Sequence, residues 1–116
     1  MVKSYRDLKV WQKAIDLSLA IYKLTEKFPQ SEIYGLTSQL RRASVSIASN
    51  IAEGYGRGSR GEYKQFLTIA RGSNYELQTQ LTISRQLGFA NATVHDKVED
   101  ISEEVSKMLI TLVRKL

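Results

Sequence analysis

The sequence predicts an all-α protein, an antiparallel up-down-up-down four-helix bundle formed as a single domain by residues 1–116. Three observations support this fold class. Apolar residues recur at intervals of three and four in four separate segments. Proline occurs only once, at Pro29, and β-branched residues form few clusters. The composition, 42% hydrophobic and 25% charged over 116 residues, is typical of a single globular core.

The first two predicted helices flank this proline. The first extends from about Asp7 to Lys27, because proline cannot continue a helix and also restricts the residue before it. Its buried face is expected to contain Val10, Ala14, Leu17, Ile21, Leu24 and Phe28. The second helix extends from about Leu36 to Gly54. Seven of the twelve residues at positions 43–54 are alanine, serine or glycine, which favours the close approach of a neighbouring helix.

The third helix has the clearest predicted start. Ser59 and Glu62 match a capping box, in which the Ser59 hydroxyl accepts from the Glu62 amide while the Glu62 side chain reaches back. The helix then continues to about Leu87, with Gly88 as its stop. Gly72 and Ser73, near its centre, are expected to let the second helix come close.

The fourth helix is predicted to follow a cap at Asn91 or Thr93 and to reach the C-terminus. Its apolar residues keep heptad spacing, at Val94, Val98, Ile101, Val105, Met108 and Leu112. Its N-terminal half is acidic, with Asp96, Glu99, Asp100, Glu103 and Glu104. Because the four helices are joined by short connections, we expect neighbouring helices to be antiparallel.

The connection between the second and third helices contains four glycines and two arginines within residues 54–61. Residues 56–61 match the GxGxxG spacing of a dinucleotide-binding loop, but that loop follows a strand, and here a helix precedes it. A Walker A loop is excluded because no Gly-Lys-Ser/Thr follows. We therefore predict a helix–helix turn with positive-φ glycines. The turn also presents the free first-turn amides of the third helix, beside Arg57 and Arg60, to an anion.

A stripe on the outer face of the third helix contains no acid: Arg60, Lys64, Thr68, Arg71, Tyr75, Gln78, Thr82 and Arg85. The net charge of +5 permits contact with nucleic acid without demonstrating it. We predict phosphate contacts at Arg57, Arg60, Lys64, Arg71 and Arg85, with Tyr75 as a ring on which a base could stack. The alternative, a solvated polar face, usually carries charges of both signs. A secondary basic patch on the first helix contains Lys9, Lys13, Lys23 and Lys27.

Two polar residues, Asn50 and Glu76, occupy stripes that are otherwise apolar. A buried carboxylate without partners costs several kcal/mol. We therefore predict a structural polar network in which Glu76 meets Asn50, a nearby serine or Arg41. A di-metal carboxylate site would need Glu-x-x-His pairs on facing helices, and the single histidine, His95, lies at the start of the fourth helix. We expect no catalytic residue, no metal ligand and no cofactor-binding residue.

Two segments carry a resemblance to a known bacterial family. They are Ser-Ile-x-x-Asn-Ile-Ala-Glu-Gly at residues 46–54 and Gly-Ser-x-x-Glu-Leu at residues 72–77. In these motifs the chain resembles the 23S rRNA intervening-sequence proteins, over roughly residues 5–90. The fold of that family is similar to the accessory protein of diversity-generating retroelements, a basic homopentamer that engages nucleic acid and a reverse transcriptase. The resemblance implies a homopentameric assembly with no known enzymatic activity.

The expected function is that of a non-catalytic, homo-oligomeric bundle that binds RNA, or nucleic acid generally, through phosphates. The alternative is a protein–protein interaction adaptor whose basic face meets an acidic partner. The resemblance implies that this partner could be a reverse transcriptase. An enzyme that uses Glu76 is a remote third possibility. The N-terminus lacks an apolar signal core, and no apolar run approaches the ~18–20 residues that span a bilayer, so we expect a cytoplasmic protein that does not contact membranes.

Overall fold

A computed structural model describes residues 2–116, and within that range the regular structure is entirely helical. The sequence prediction of an all-α four-helix bundle is confirmed. Two short 3-10 helices cover Tyr5–Asp7 and Gln30–Glu32. The four α-helices are α1 (Lys9–Thr25), α2 (Leu36–Tyr55), α3 (Arg60–Gln86) and α4 (Ala92–Lys115).

Neighbouring helices are antiparallel, and each of α1 and α3 packs against both α2 and α4. Each pair of neighbouring helices shares a polar contact that agrees with this arrangement. These contacts are Ser18 with Ser44, Ser46 with Ser73, Asn74 with Ser102, and Lys13 with Glu104. The start of α1, the α2–α3 turn and the end of α4 therefore lie at the same end of the bundle. The α1–α2 and α3–α4 connections lie at the opposite end.

Helix boundaries agree with the sequence except at α1. That helix covers Lys9–Thr25 because Ser4 and Asp7 form a capping box around a separate 3-10 turn. The Ser59 hydroxyl caps α3 by accepting from the Glu62 amide at 3.2 Å, as predicted. The Glu62 carboxylate reaches back to the Ser59 hydroxyl, at 3.2 Å. The α3–α4 connection contains both other predicted caps: Gly88, with φ of +78°, follows α3, and Asn91, which accepts from the Val94 amide, precedes α4.

The core runs along the bundle axis between the four helices. All six residues predicted for the inner face of the first helix are buried. At the end that carries the α1–α2 connection, Phe28 packs against Phe89, with ring centroids 5.5 Å apart. His95 is buried beside them, and its Nε2 lies 2.7 Å from the Phe89 carbonyl oxygen. The start of α4 is thus part of the core, a role for His95 that sequence analysis missed.

The backbone of α2 packs closely against α3 at Gly54, near the α2–α3 turn. A Cβ atom added at Gly54 would lie 2.6 Å from the Cβ of Phe66 and 3.3 Å from the Tyr63 carbonyl oxygen. Gly72 has open space around the corresponding position. The expectation that Gly72 admits the second helix is therefore wrong. It failed because Gly72 faces outward from α3. The small residue that permits the close contact lies on α2 instead.

Replacing each of these two glycines by alanine should change stability in opposite directions. Gly54→Ala should lower the free energy of unfolding by about 1–3 kcal/mol, since Phe66 would have to move. Gly72→Ala should raise it by about 0.5–1 kcal/mol, because alanine stabilises an exposed helix position relative to glycine. Urea denaturation of both variants measures the difference. Equal effects at the two positions would contradict the close packing of α2 on α3.

Candidate nucleic-acid interface

Basic residues are concentrated at the end of the bundle where α1 begins and α4 ends. Residues 2–13, 53–64 and 104–116 contain ten lysines and arginines against four acids, whereas the rest of the chain contains seven against eight acids. We refer to these three segments as the basic end. The antiparallel topology brings the segments together, although they are far apart in sequence. A net positive charge of this kind attracts polyanions over distances longer than a single contact.

The α2–α3 turn lies at the centre of the basic end. The predicted helix–helix turn is present, but only Gly58 has a positive φ, of +79°, whereas Gly54 lies within α2 and Gly56 has a helical φ of −76°. The Arg57 guanidinium lies 3.1 Å from the Glu53 carboxylate and 4.8 Å above the Phe66 ring. Arg57 is therefore fixed against the two helices and its charge is partly compensated by Glu53.

Two tyrosines stabilise the same turn. The rings of Tyr55 and Tyr63 pack edge to face, with centroids 5.9 Å apart. Burial raises the pKa of the Tyr63 hydroxyl, and Tyr55 raises it further. A phenol is neutral at physiological pH even at its ordinary pKa, so Tyr63 adds no negative charge to the basic end.

Arg60 and Lys64 project from the first two turns of α3 and are exposed. Within residues 2–116 no carboxylate lies within salt-bridge distance of either side chain. The first-turn amides of α3 add partial positive charge beside them. Arg71, also without a carboxylate partner in that range, is half-buried near the middle of α3, away from the turn.

Arg85 differs from the other four predicted contacts. It lies at the opposite end of the bundle, where its Nη2 is 2.7 Å from Asp96 and 2.6 Å from Glu99, both on α4. The hydrogen bond to Glu99, which has the larger effect, and the hydrogen bond to Asp96 both raise the pKa of the guanidinium. Arg85 thus joins α3 to α4, and its charge is matched by two carboxylates. The acid-free stripe predicted on α3 therefore borders acids of α4 once the bundle forms.

A groove between α1 and α4 completes the basic end. It has a volume of about 370 Å³. Three lysines line it, Lys9, Lys107 and Lys115, above an apolar floor that includes Leu8, Val10, Met108 and Leu112. Nearby, Lys13 pairs with Glu104 at 3.0 Å. The secondary patch predicted on the first helix is divided, because Lys9 and Lys13 lie at the basic end and Lys23 and Lys27 near the other end of α1.

The predicted network of Asn50, Glu76 and Arg41 does not form. Asn50 donates to the carbonyl and hydroxyl oxygens of Ser46, at 2.8 and 3.0 Å, and Ser46 in turn contacts Ser73 across α2 and α3. Glu76 is exposed and accepts from Gln80 on its own helix at 3.3 Å. Its carboxylate remains hydrated, so it needs no buried partner.

Arg41 points away from Glu76, towards α1. It donates from Nε to the Thr25 hydroxyl at 2.9 Å, and its guanidinium lies 4.6 Å over the Tyr22 ring. The residue therefore joins α1 to α2. Sequence spacing on α2 alone does not show which neighbouring helix an arginine will contact.

The buried polar contact of the bundle lies between α3 and α4 and was missed. The Asn74 amide nitrogen donates to the Ser102 carbonyl oxygen at 2.9 Å, and the Ser102 hydroxyl donates to the Asn74 side-chain oxygen at 2.8 Å. Gln78 donates to the same hydroxyl at 2.9 Å. Asn74 and Ser102 have no exposed surface. An asparagine on the apolar stripe of the third helix was the available signal.

No cluster of three or more potential metal ligands occurs within residues 2–116. Over the same residues, no helix has an apolar stretch long enough to cross a bilayer. The candidate site is a charged surface that presents lysine, arginine and backbone amide groups.

Comparison with known proteins supports the resemblance noted in the sequence. The chain matches the family described as 23S rRNA-intervening sequence protein over residues 6–111. No curated protein matches it at a significant level. Among solved structures it is similar to a protein of unknown function from the S23 ribosomal protein family of Bacteroides thetaiotaomicron, with a TM-score of 0.83 and 22% identity over 90% of this chain and 95% of that chain. At that identity the likeness establishes a shared fold, and neither match indicates a catalytic class.

The Asn74–Ser102 contact should contribute far more to stability than the exposed Glu76. We expect Asn74→Ala to lower the free energy of unfolding by about 2–4 kcal/mol, because it leaves buried groups of Ser102 without partners. Glu76→Ala, two residues away on the same helix, should change it by less than about 0.5 kcal/mol. Thermal or urea denaturation of the matched pair is the measurement. A large loss for Glu76→Ala would restore the buried network predicted from the sequence.

Proposed function

The chain belongs to the 23S rRNA-intervening sequence protein family, and we propose that it is a non-catalytic, homo-oligomeric bundle that binds RNA through phosphate contacts at its basic end. The observation that supports this most directly is the charge distribution, with ten bases and four acids in the three segments that meet there. Phosphate contacts need positive charge and hydrogen-bond donors, and they need no particular base sequence.

Arg60 and Lys64 are the principal contacts in this proposal. Both are exposed beside the N-terminus of α3, where free amides and the helix dipole also favour an anion. Lysines on the α1–α4 groove extend the positive surface across the same end of the bundle. Arg57 adds to the field while it remains paired with Glu53. Arg71 contributes less to phosphate binding because it is half-buried. Arg85 also contributes less, because two carboxylates already match its charge.

Binding of this kind depends on the release of counterions, so it should weaken steeply as salt rises. The double variant Arg60→Gln/Lys64→Gln should flatten the slope of log affinity against log salt by about 0.7–0.9 for each lost contact. Unrelated RNA sequences should be affected alike. Fluorescence anisotropy over a salt series measures both quantities, and the Ser59 cap is unchanged, so the fold should be retained.

Two controls separate this effect from a general change of charge. Lys97→Gln removes an exposed positive charge near the opposite end and should leave the salt slope unchanged. Glu53→Gln removes the partner of Arg57 and should not weaken binding. If the double variant binds RNA with wild-type affinity and slope, then the basic end is not a phosphate site.

A second candidate function is a protein-interaction adaptor, and the groove between α1 and α4 favours it. Its apolar floor and three lysines complement an amphipathic protein segment with acidic residues at its edges. In this alternative the basic end contacts no nucleic acid. A reverse transcriptase is the kind of partner that the resemblance to retroelement accessory proteins would imply.

Self-association is proposed from charge complementarity and from exposed apolar side chains. The acidic first half of α4 complements basic stripes elsewhere on the bundle, and a head-to-tail contact between them is of the heterologous type, which closes into rings when the rotation between subunits permits. Three large apolar side chains on α3 and at its C-terminal end are about half exposed: Ile69 at 46%, Ile83 at 45% and Leu87 at 58%. Burial of such side chains between copies would stabilise the assembly. The number of five subunits comes only from the resemblance to the pentameric family fold.

Multi-angle light scattering at micromolar concentration should give a mass well above the 13.2 kDa of one chain. Reversing two exposed acids of α4, with Asp100→Lys/Glu103→Lys, should dissociate the assembly, because the head-to-tail contact would become repulsive. Glu26→Lys, at the end of α1, is the matched control and should leave the mass unchanged. A wild-type monomer under these conditions would contradict the proposed assembly.

A further inference from the structure

A second anion-compatible surface lies between α1 and α2, away from the basic end. This groove, which we call the α1–α2 groove, has a volume of about 530 Å³, within the ~300–1,000 Å³ typical of ligand sites. Nine residues line it, and none of them is acidic. They combine aromatic rings, two arginines and three hydroxyl groups, and the function proposed above uses none of them.

The aromatic and apolar residues of the α1–α2 groove are unusually exposed. Tyr34, in the connection between α1 and α2, is 94% exposed, so it makes almost no contact with the bundle. Tyr22, Ile33 and Val45 are 42–45% exposed on the same groove. Single exposed apolar residues are ordinary. Four exposed aromatic or apolar residues around one concave surface indicate a binding site for another molecule.

The groove is also positively charged. Arg41 is held by its Nε contact with Thr25 and by the Tyr22 ring below it, which orients the rest of the guanidinium. Arg42 is exposed on the next position of α2. Within residues 2–116 no carboxylate forms a salt bridge with either arginine. Glu32, the nearest acid before α2, already accepts from the Leu36 amide at 3.1 Å.

We propose that the α1–α2 groove binds a single-stranded segment of RNA, with an unstacked base on the Tyr34 ring and the adjoining phosphates on Arg41 and Arg42. The inference rests on the proposed function in that it takes RNA as the ligand. Rings beside arginines form the surface that single strands use, because every base can stack on a ring and every phosphate can pair with a guanidinium. Ser38 adds a hydroxyl that can bond to sugar or base edges.

A double-stranded segment does not fit this groove in the same way. Bases within a duplex are stacked on each other and cannot lie on Tyr34, whereas loops, bulges and ends present bases that can. A purely apolar protein segment fits less well, since it would bury Arg41 and Arg42 without counter-charges. The two surfaces of the protein thus differ in kind. The basic end contacts phosphates of any RNA, and the groove selects unpaired bases.

The test compares a short unstructured RNA with the same RNA annealed to its complement, using the full-length chain and fluorescence anisotropy. Tyr34→Ala should weaken binding of the single strand by roughly tenfold, the effect of losing one stacked base. Tyr34→Phe should bind as the wild type does, since the ring is retained. Binding of the duplex should be the same for all three proteins. Because Tyr34 is 94% exposed, neither substitution disturbs the core.

Two results would overturn the inference. One is wild-type affinity of Tyr34→Ala for the single strand. The other is dissociation of the oligomer by Tyr34→Ala, which would make the groove an interface between copies of this chain. The proposed function fails separately: if Arg60→Gln/Lys64→Gln retains the duplex affinity and salt slope of the wild type while Tyr34→Ala loses the single strand, then the groove alone binds RNA.

Discussion

The close packing of α2 against α3 is the constraint on which the rest of the structure depends. Gly54 leaves no space for a side chain opposite Phe66, and hydroxyl and amide groups meet farther along the same contact, between Ser46 and Ser73 and between Gln39 and Gln80. A short turn, residues 56–59, joins the two helices. That turn directs the first residues of α3 outward at the end where α1 begins and α4 ends. The concentration of positive charge follows from this geometry.

Local rules were sufficient to predict the helices, since each follows from apolar spacing, and α3 and α4 also have a side-chain cap close in sequence. The predicted caps at Ser59, Gly88 and Asn91 are present in the structure. The predicted fold class rests on the same local information. Boundaries differ where a second local structure competes, as at the start of α1, where the Ser4–Asp7 capping box forms a turn of its own.

Contacts between helices were predicted less well, because each residue advances about 100° around a helix and a small rotation changes its neighbour. Glu76 lies on the exposed side of the α2–α3 contact, whereas Asn74, two residues earlier, is buried against α4. Arg85 showed the same difficulty. Its own stripe contains no acid, but α4 places Asp96 and Glu99 beside it. A pattern read along one helix carries no information about charges on the next.

The unequal charge along the bundle also gives the molecule an electric dipole, directed along the longest dimension of 43 Å. A polyanion approaching from any side exerts a torque on such a dipole and turns its positive pole forward before the surfaces touch. The protein is therefore already oriented when it meets a polyanion, and a larger fraction of collisions occurs at the positive end. In a ring whose subunits all point the same way along the axis, the individual dipoles add. One face of such a ring then attracts polyanions far more strongly than the other.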